Sequence, residues 1–282
     1  MNRISVAQPV LNGNERKYVL DCLDTNWISS VGKYITAFEE SFARFCGVKH
    51  AIATNNGTTA LHLSLVALDL RPGDEVIIPT VTYIATANAV RYCGATPVLV
   101  DVEAATMNID PAEIEGKITS KTKGIIPVHL YGHPAEMETV NAIARKHNLW
   151  VVEDAAEAHG AEVGGRKVGS ISTCATFSFF GNKIVTTGEG GMVTTNSDAL
   201  AQKLRLFRGQ GMDLSRRYWF PVVGYNYRMT NIQAAIGLAQ METIEKSLAD
   251  RATLANWYAQ ALAGVEDQIV LPKEVESVKQ VH

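Results

Sequence analysis

The sequence predicts an α/β domain: a mostly parallel sheet of seven strands covered by helices. Three observations carry that prediction. Short β-branched, apolar runs alternate along the chain with helical stretches, as strand–helix–strand units do. Several of these runs, such as Val76-Ile77-Ile78 and Pro97-Val98-Leu99-Val100, lack the polar alternation of a half-exposed strand, so both of their faces are expected to be buried. The 282 residues are 46% hydrophobic and 20% charged, ordinary for one large globular domain or one with a smaller appendage.

Taken in order, strands are predicted at residues 51–54, 75–79, 96–101, 124–128, 150–154, 174–179 and 192–195. Helices fit between them at 58–68, 84–92, 111–118 and 135–147. Residues 230–262 read as a long helix-rich segment with Asn231 as its cap and no strand partner. The expected division is an N-terminal arm and large α/β domain over 1–229, then the start of a smaller C-terminal domain over 230–282. Residues 210–227 are rich in Gly, Arg and aromatics, which suits an ordered functional loop better than a tether. The chain has neither an internal repeat nor a low-complexity linker.

Composition excludes several classes. A net charge of −3 gives no general attraction for nucleic acid or an anionic membrane, so any phosphate site must be local. Cys22, Cys46, Cys93 and Cys174 are far apart and form no CxxC pair; they read as reduced and mostly buried. No secretory leader opens the sequence and no apolar run approaches the length of a membrane span, which points to the cytoplasm. The glycosylation sequon Asn56-Gly57-Thr58 is then accidental.

Four segments carry chemistry. In Thr54-Asn55-Asn56-Gly57-Thr58-Thr59, a strand turns into a helix through Gly57. Amides at a helix N-terminus bind phosphate, and the Thr58 and Thr59 hydroxyls can add to them. The plainer reading is a strand–helix turn with a Thr cap. The segment is neither GxGxxG nor GxxxxGK[ST]. In Glu153-Asp154-Ala155-Ala156-Glu157-Ala158-His159-Gly160, Asp154 stands at the carboxyl end of a strand, where open α/β sheets place ligands. Its carboxylate can pair with a cationic ring nitrogen, or simply cap a following helix. Asp154, Glu157 and His159 lack a recognised metal-ligand spacing, so no metal is expected.

The third segment is Phe177-Ser178-Phe179-Phe180-Gly181-Asn182-Lys183, followed by Thr186-Thr187-Gly188-Glu189-Gly190-Gly191. A lysine just past a strand, in a glycine-bounded turn, can bring its amine to a buried cofactor for Schiff-base chemistry. The plainer reading is a solvated lysine. The fourth, Gly224-Tyr225-Asn226-Tyr227-Arg228-Met229-Thr230-Asn231, groups an amide, a cation and two phenols before a helix. It can equally be a helix entry with packed tyrosines.

In this order and at these separations, the four segments resemble the sugar aminotransferase family called DegT/DnrJ/EryC1/StrS, along the whole chain. The resemblance implies the aspartate aminotransferase-like fold, that of fold-type I enzymes dependent on pyridoxal 5′-phosphate (PLP). It also implies a homodimer with composite active sites. Lys183 is similar to the family's cofactor-bearing lysine, and Asp154 to the residue paired with the pyridine nitrogen. Gly57, Thr58, Thr59 and Ser178 match the phosphate seat, and Tyr83 the aromatic that stacks on the ring. Asn226 resembles the asparagine that reaches the neighbouring subunit's phosphate. Glu157 stands where many members carry glutamine near the cofactor's phenolic oxygen. A carboxylate there repels a phenolate unless it is protonated or hydrogen-bonded.

A dehydratase branch of the family has histidine at the position of Lys183, so the lysine implies transamination. Text around Ser178–Gly191 is most similar to members that aminate C4 of a 6-deoxy sugar. The implied reaction moves the amino group of L-glutamate to a nucleotide-linked keto-sugar, with GDP-4-keto-6-deoxymannose the first candidate. The alternatives are a dTDP- or UDP-linked sugar at C4 or C3. Lys183 is the expected general base and acid. Candidate substrate contacts are Trp27, Lys33, His159, Arg216, Arg217 and Arg228, against the plainer reading of packing and surface charge. Members normally continue past the end of this sequence, so the C-terminal domain is expected to be incomplete. Two other classes remain: a PLP-binding sensor or scaffold without turnover, and a nicotinamide dehydrogenase, against which the missing GxGxxG counts.

Overall fold

A computed structural model describes residues 5–213, 215–265, 268–271 and 278–281. The chain opens with helices α1 (Glu15–Asp24) and α2 (Lys33–Cys46), then strand β1 (His50–Thr54). There follow α3 (Gly57–Ala67), β2 (Glu75–Pro79), α4 (Ala85–Tyr92), β3 (Thr96–Val100), α5 (Pro111–Ile114), β4 (Thr122–Ile125) and α6 (Met137–Lys146). Next come β5 (Trp150–Asp154), the short β6 (Glu162–Val163) and β7 (Arg166–Lys167), β8 (Cys174–Ser178) and β9 (Gly191–Thr195). Helices α7 (Asp198–Arg208), α8 (Asn231–Glu242) and α9 (Ile244–Ala261) and the short strand β10 (Val278–Lys279) complete the described elements.

Seven strands form one sheet in the order β1-β9-β8-β5-β4-β2-β3. Strand β9 runs antiparallel to both β1 and β8, while the other pairs are parallel. The predicted mostly parallel α/β sheet is therefore the observed one. A second, three-stranded sheet joins β10, β6 and β7. No helix among the described residues is long and apolar enough to cross a membrane.

Strand alternation sorts the core into layers. On β1, Ala51 and Ala53 face a cluster built with α1, α2 and α8, while Ile52 faces the opposite cluster built with α3, α4 and α7. Ile77 of β2 and Val151 of β5 join a third cluster with α5 and α6. Both faces of β2 are thus covered, as its run Val76-Ile77-Ile78 implied, but β3 is the edge strand of the sheet and Leu99 is 54% exposed, so the run Pro97-Val98-Leu99-Val100 is not buried on both faces. Phe42 of α2 anchors the first cluster, with its ring edge-on to Phe177 (4.9 Å) and Phe179 (5.3 Å).

Helix boundaries differ from the expected ones for local reasons. Helix α5 stops at Ile114 and continues as a 3-10 turn over Glu115–Lys117, where Gly116 weakens an α-helix. Helix α6 starts at Met137, because the Ala135 amide is held by His129 Nδ1 (3.0 Å). The 230–262 segment breaks at Thr243 into α8 and α9. Its cap is Thr230, not Asn231: the Thr230 hydroxyl accepts from the Gln233 amide and the Gln233 side chain bonds back to the Thr230 amide. Asn231 instead turns inward, donating to the Trp27 carbonyl (2.7 Å) and accepting from the Tyr34 amide (3.1 Å). Helix α8 packs into the first cluster, with Gly237 lying flat against the Phe38 ring. Only Ile244 of α9 is buried. Three cysteines are buried and Cys93 is half-buried, all with free thiols.

Candidate active site

Parallel strands of this sheet deliver their carboxyl ends to one edge, and a cavity of about 600 Å³ opens there. Its walls come from the segments that follow β1, β2, β4, β5 and β8. Among the predicted site residues, Gly57, Thr58, Tyr83, Asp154, Glu157, Ser178 and Lys183 all line it.

One wall is the start of α3. Asn56 caps the helix, its Oδ1 accepting from the Thr59 amide at 2.8 Å, and Thr59 Oγ1 accepts in return from the Asn56 amide. The first amides of the helix, those of Gly57 and Thr58, stand at the cavity wall without intrahelical partners. Gly57 is required by close approach: a Cβ there would lie 2.8 Å from the Ser178 Cβ. Helix start and strand end therefore meet as one seat. Thr59 does not line the cavity, because its hydroxyl is engaged within the capping turn, 2.6 Å from Asn55 Oδ1.

Asp154 closes β5 and is buried. No helix follows it, so the capping alternative drops out. Its Oδ2 accepts from Thr86 Oγ1 (2.7 Å) and its Oδ1 from the Ala156 amide (3.3 Å). Burial disfavours the charged form and holds the pKa of this carboxyl above the ordinary value, and the Thr86 and Ala156 bonds only partly offset that. A cation placed against it would relieve the strain of burying the charge.

Beneath it, Glu153 is wholly buried and accepts from His129 Nε2 (3.1 Å), the Gly169, Ile171 and Ser172 amides, and Ser172 Oγ (2.8 Å). Burial opposes its ionisation, but His129 and these donors outweigh it and hold the carboxyl below its usual range. The His129 amide donates to the Asp154 carbonyl at 3.0 Å, so the Glu153–His129 pair braces the strand end that carries Asp154. Sequence reasoning missed both residues, and only the alternation that turns Glu153 away from Asp154 could have hinted at them.

Lys183 sits in a tight turn closed by its amide on the Phe180 carbonyl (3.0 Å). Its Nζ lies 3.0 Å from Glu157 Oε1, and the other Glu157 oxygen accepts from the Tyr131 amide at 3.0 Å. Tyr131, also missed, adopts a left-handed backbone (φ 48°), is exposed, and lines the cavity together with Tyr83. The Tyr131-Gly132 dipeptide was the available turn signal.

Other candidates lie elsewhere. His159 is wholly buried among Phe42, Phe177 and Phe179, where no ligand reaches it. Burial first, then the charges of Lys183 and Arg251, push its pKa down to about 3. Asn226 and Arg228 lie along β1 rather than in the cavity: the Asn55 amide bonds the Tyr227 carbonyl, and Arg228 Nε and Nη2 donate to Asn226 Oδ1. Trp27 and Lys33 line a separate cavity with Asn231, and Lys33 pairs with Asp21 at 2.8 Å. Arg216 and Arg217 are exposed, stacked over Trp219 (4.6 Å) and Tyr218 (5.0 Å).

These features fit PLP. A buried carboxyl short of a cationic partner suits a protonated ring nitrogen, the paired helix start and Ser178 suit a phosphate, and a primary amine enters the same cavity. Fold and site together define a PLP-dependent aminotransferase of the aspartate aminotransferase-like class. The sequence signature of the DegT/DnrJ/EryC1/StrS aminotransferase family matches residues 9–282, and the chain belongs to that family. It is 64% identical over 270 residues to a GDP-perosamine synthase of Caulobacter vibrioides, covering 96% of this chain and 73% of that one. It is 49% identical over 282 residues to the GDP-perosamine synthase of Escherichia coli O157:H7, covering 100% and 74%. The crystal structure of an aminotransferase from Psychrobacter cryohalolentis superposes with a TM-score of 0.93 at 39% identity, covering 97% of this chain and 74% of that one.

Proposed function

We propose that this chain transfers the amino group of L-glutamate to C4 of GDP-4-keto-6-deoxymannose, giving GDP-perosamine. The observation that carries the reading is a primary amine, Lys183 Nζ, held in the same cavity as the buried Asp154 carboxyl. The choice of sugar rests on the two relatives bearing that name.

When bound, PLP supplies a carbonyl that exchanges amines and a protonated ring that accepts electron density. Residues of this chain do the rest. Gly57 and Thr58 amides, the Thr58 hydroxyl and Ser178 Oγ hold the phosphate; Tyr83 covers the ring. Asp154 holds the proton on the ring nitrogen, which keeps the ring electron-poor. Lys183 carries the cofactor at rest. Its free amine would move the proton between the donor's α-carbon and the cofactor side, and in the opposite sense for the sugar.

The working unit is a homodimer. Asn226, exposed beside β1, reaches the phosphate of the neighbouring subunit. Arg216, Arg217 and Arg228 meet the nucleotide diphosphate, and Trp27 and Lys33 the base. The smaller domain begins after α8 and not at residue 230, because Ala234, Ala235 and Met241 of that helix belong to the core of the large domain.

The test has two readouts. Borohydride treatment of protein with PLP should fix the label on Lys183; label on Lys167 or Lys33 sinks the cofactor assignment. Incubation with GDP-4-keto-6-deoxymannose and glutamate should give nitrogen on C4 by NMR. Nitrogen on C3, or turnover only with a dTDP- or UDP-sugar, overturns the substrate and leaves the cofactor site standing.

A further inference from the structure

Glu157 joins two donors. One oxygen accepts from the Tyr131 amide and the other from Lys183 Nζ, each at 3.0 Å. The pair is sheltered, with 15% of the lysine side chain and 30% of the glutamate side chain exposed. The carboxylate is fixed from behind as well. Tyr131 belongs to a turn in which the Gly132 amide bonds the His129 carbonyl, and the Gly132 carbonyl accepts from the Val281 amide at 3.0 Å. Gly132 is left-handed (φ 81°), and a Cβ there would meet the Val281 carbonyl. The turn that positions Glu157 thus cannot shift without disturbing the Val281 contact.

A carboxylate offers acceptors on both oxygens, whereas an amide offers only one acceptor and two donors. With its oxygen on the Tyr131 amide, glutamine at 157 would turn its NH2 group toward Lys183, whose ammonium has no acceptor to offer. The double contact therefore selects glutamate.

We infer that Glu157 is a positioning residue for Lys183: its carboxylate is the seat the lysine amine occupies whenever that amine is not joined to the cofactor. The inference rests on the reading that Lys183 carries PLP. Two consequences follow from the charge. An ammonium held against a carboxylate in a sheltered site must part from its counter-ion and lose a proton before it can attack the PLP carbonyl. Conversely, when an amino donor displaces the lysine, the seat receives the amine at a fixed position and keeps it within the cavity.

The experiment is the rate at which cofactor-free protein captures PLP, followed by the absorbance change on mixing. Glu157→Gln keeps the volume and removes the counter-ion. At pH 7 its capture should be several-fold faster than wild type, because no counter-ion then holds the amine away from the PLP carbonyl. A merely structural role would leave the rate unchanged or lower it, and either result overturns the inference. A crystal structure of cofactor-free wild type provides a check independent of the variant's folding. Lys183 Nζ within hydrogen-bonding distance of Glu157 supports the seat, and a separation beyond it overturns the seat. Wild-type protein that takes up no PLP overturns the cofactor reading along with this one; uptake on Lys183 with no faster capture in Glu157→Gln overturns the seat alone.

Discussion

At the scale of single residues, the site separates groups whose local text announced them from groups it concealed. Lys183 was legible only from the four segments taken together, since a lysine in a turn after a strand is by itself most often solvated. Asp154 was legible because it ends an apolar strand. His159 shows the limit. It is only five residues from Asp154, yet its ring is wholly buried among phenylalanines from α2 and β8. Those partners are distant in sequence, so its surroundings could not be read from its neighbours. Thr59 shows the same limit at closer range, since its hydroxyl had a competing use in the capping turn.

Two outcomes are expected at this scale. Asp154→Asn should lower turnover by about 10³-fold, the usual loss when one preorganised electrostatic partner is removed. The cofactor-free variant should unfold at the same urea concentration as wild type or a higher one, because the buried charge is gone and the Thr86 bond can be retained. Clear destabilisation of the cofactor-free variant would show that Asp154 is a structural residue. For His159, the folded state holds the ring neutral down to about pH 3, whereas the unfolded chain takes up a proton near pH 6.5. Protons then bind preferentially to the unfolded state, so stability falls as pH drops below about 6.5. Urea midpoints at pH 7 and pH 5 should differ by more in wild type than in His159→Phe; an equal difference refutes the assignment.

Elements were read well where their signals were local. The capping turn of α3 and the strands β1, β2, β5 and β9 appeared within a residue of their positions. Helices α1, α2 and α7 were not anticipated, although Tyr34, Phe38 and Phe42 recur every four residues along α2 and bury one face. The short β6, β7 and β10 carry too few residues for any periodic signal. The start of α3 yields a prediction of its own. Gly57→Ala places a Cβ 2.8 Å from the Ser178 Cβ, so the helix start must move away from the end of β8. Overpacking of this kind costs about 1–3 kcal/mol. If that cost falls on the phosphate seat, PLP affinity should weaken by roughly 10- to 100-fold with the fold intact. Equal affinity by equilibrium titration would separate the seat from the phosphate.

The whole molecule exposes apolar side chains on the rim of its site and on the N-terminal segment. Tyr83, Tyr131 and Phe180 at the cavity are joined by Trp27, Ile28 and Val31 on the segment between α1 and α2. Surfaces of this composition are covered in stable assemblies. The expected state is a dimer of 30.6 kDa chains with two-fold symmetry. Light scattering on the purified protein checks the mass, and a crystal structure should place Asn226 nearer the partner's Lys183 than its own. A monomer that binds PLP with full affinity would refute the shared site.

One feature of the sheet governs the order in which the molecule can be built. Strand β1 has a single strand neighbour in the main sheet, β9, with His50 opposite Thr195 and Thr54 opposite Gly191. The ribosome releases β1 long before β9 exists, and no other strand substitutes for it. The phosphate seat, which hangs from the end of β1, is therefore among the last parts of the domain to assemble during synthesis. Nascent chains stalled before β9 has left the exit tunnel should fail to retain PLP after borohydride treatment, even though they already contain Lys183. Chains stalled after it should retain the cofactor, and capture by the shorter chains would show that the seat forms without its closing strand.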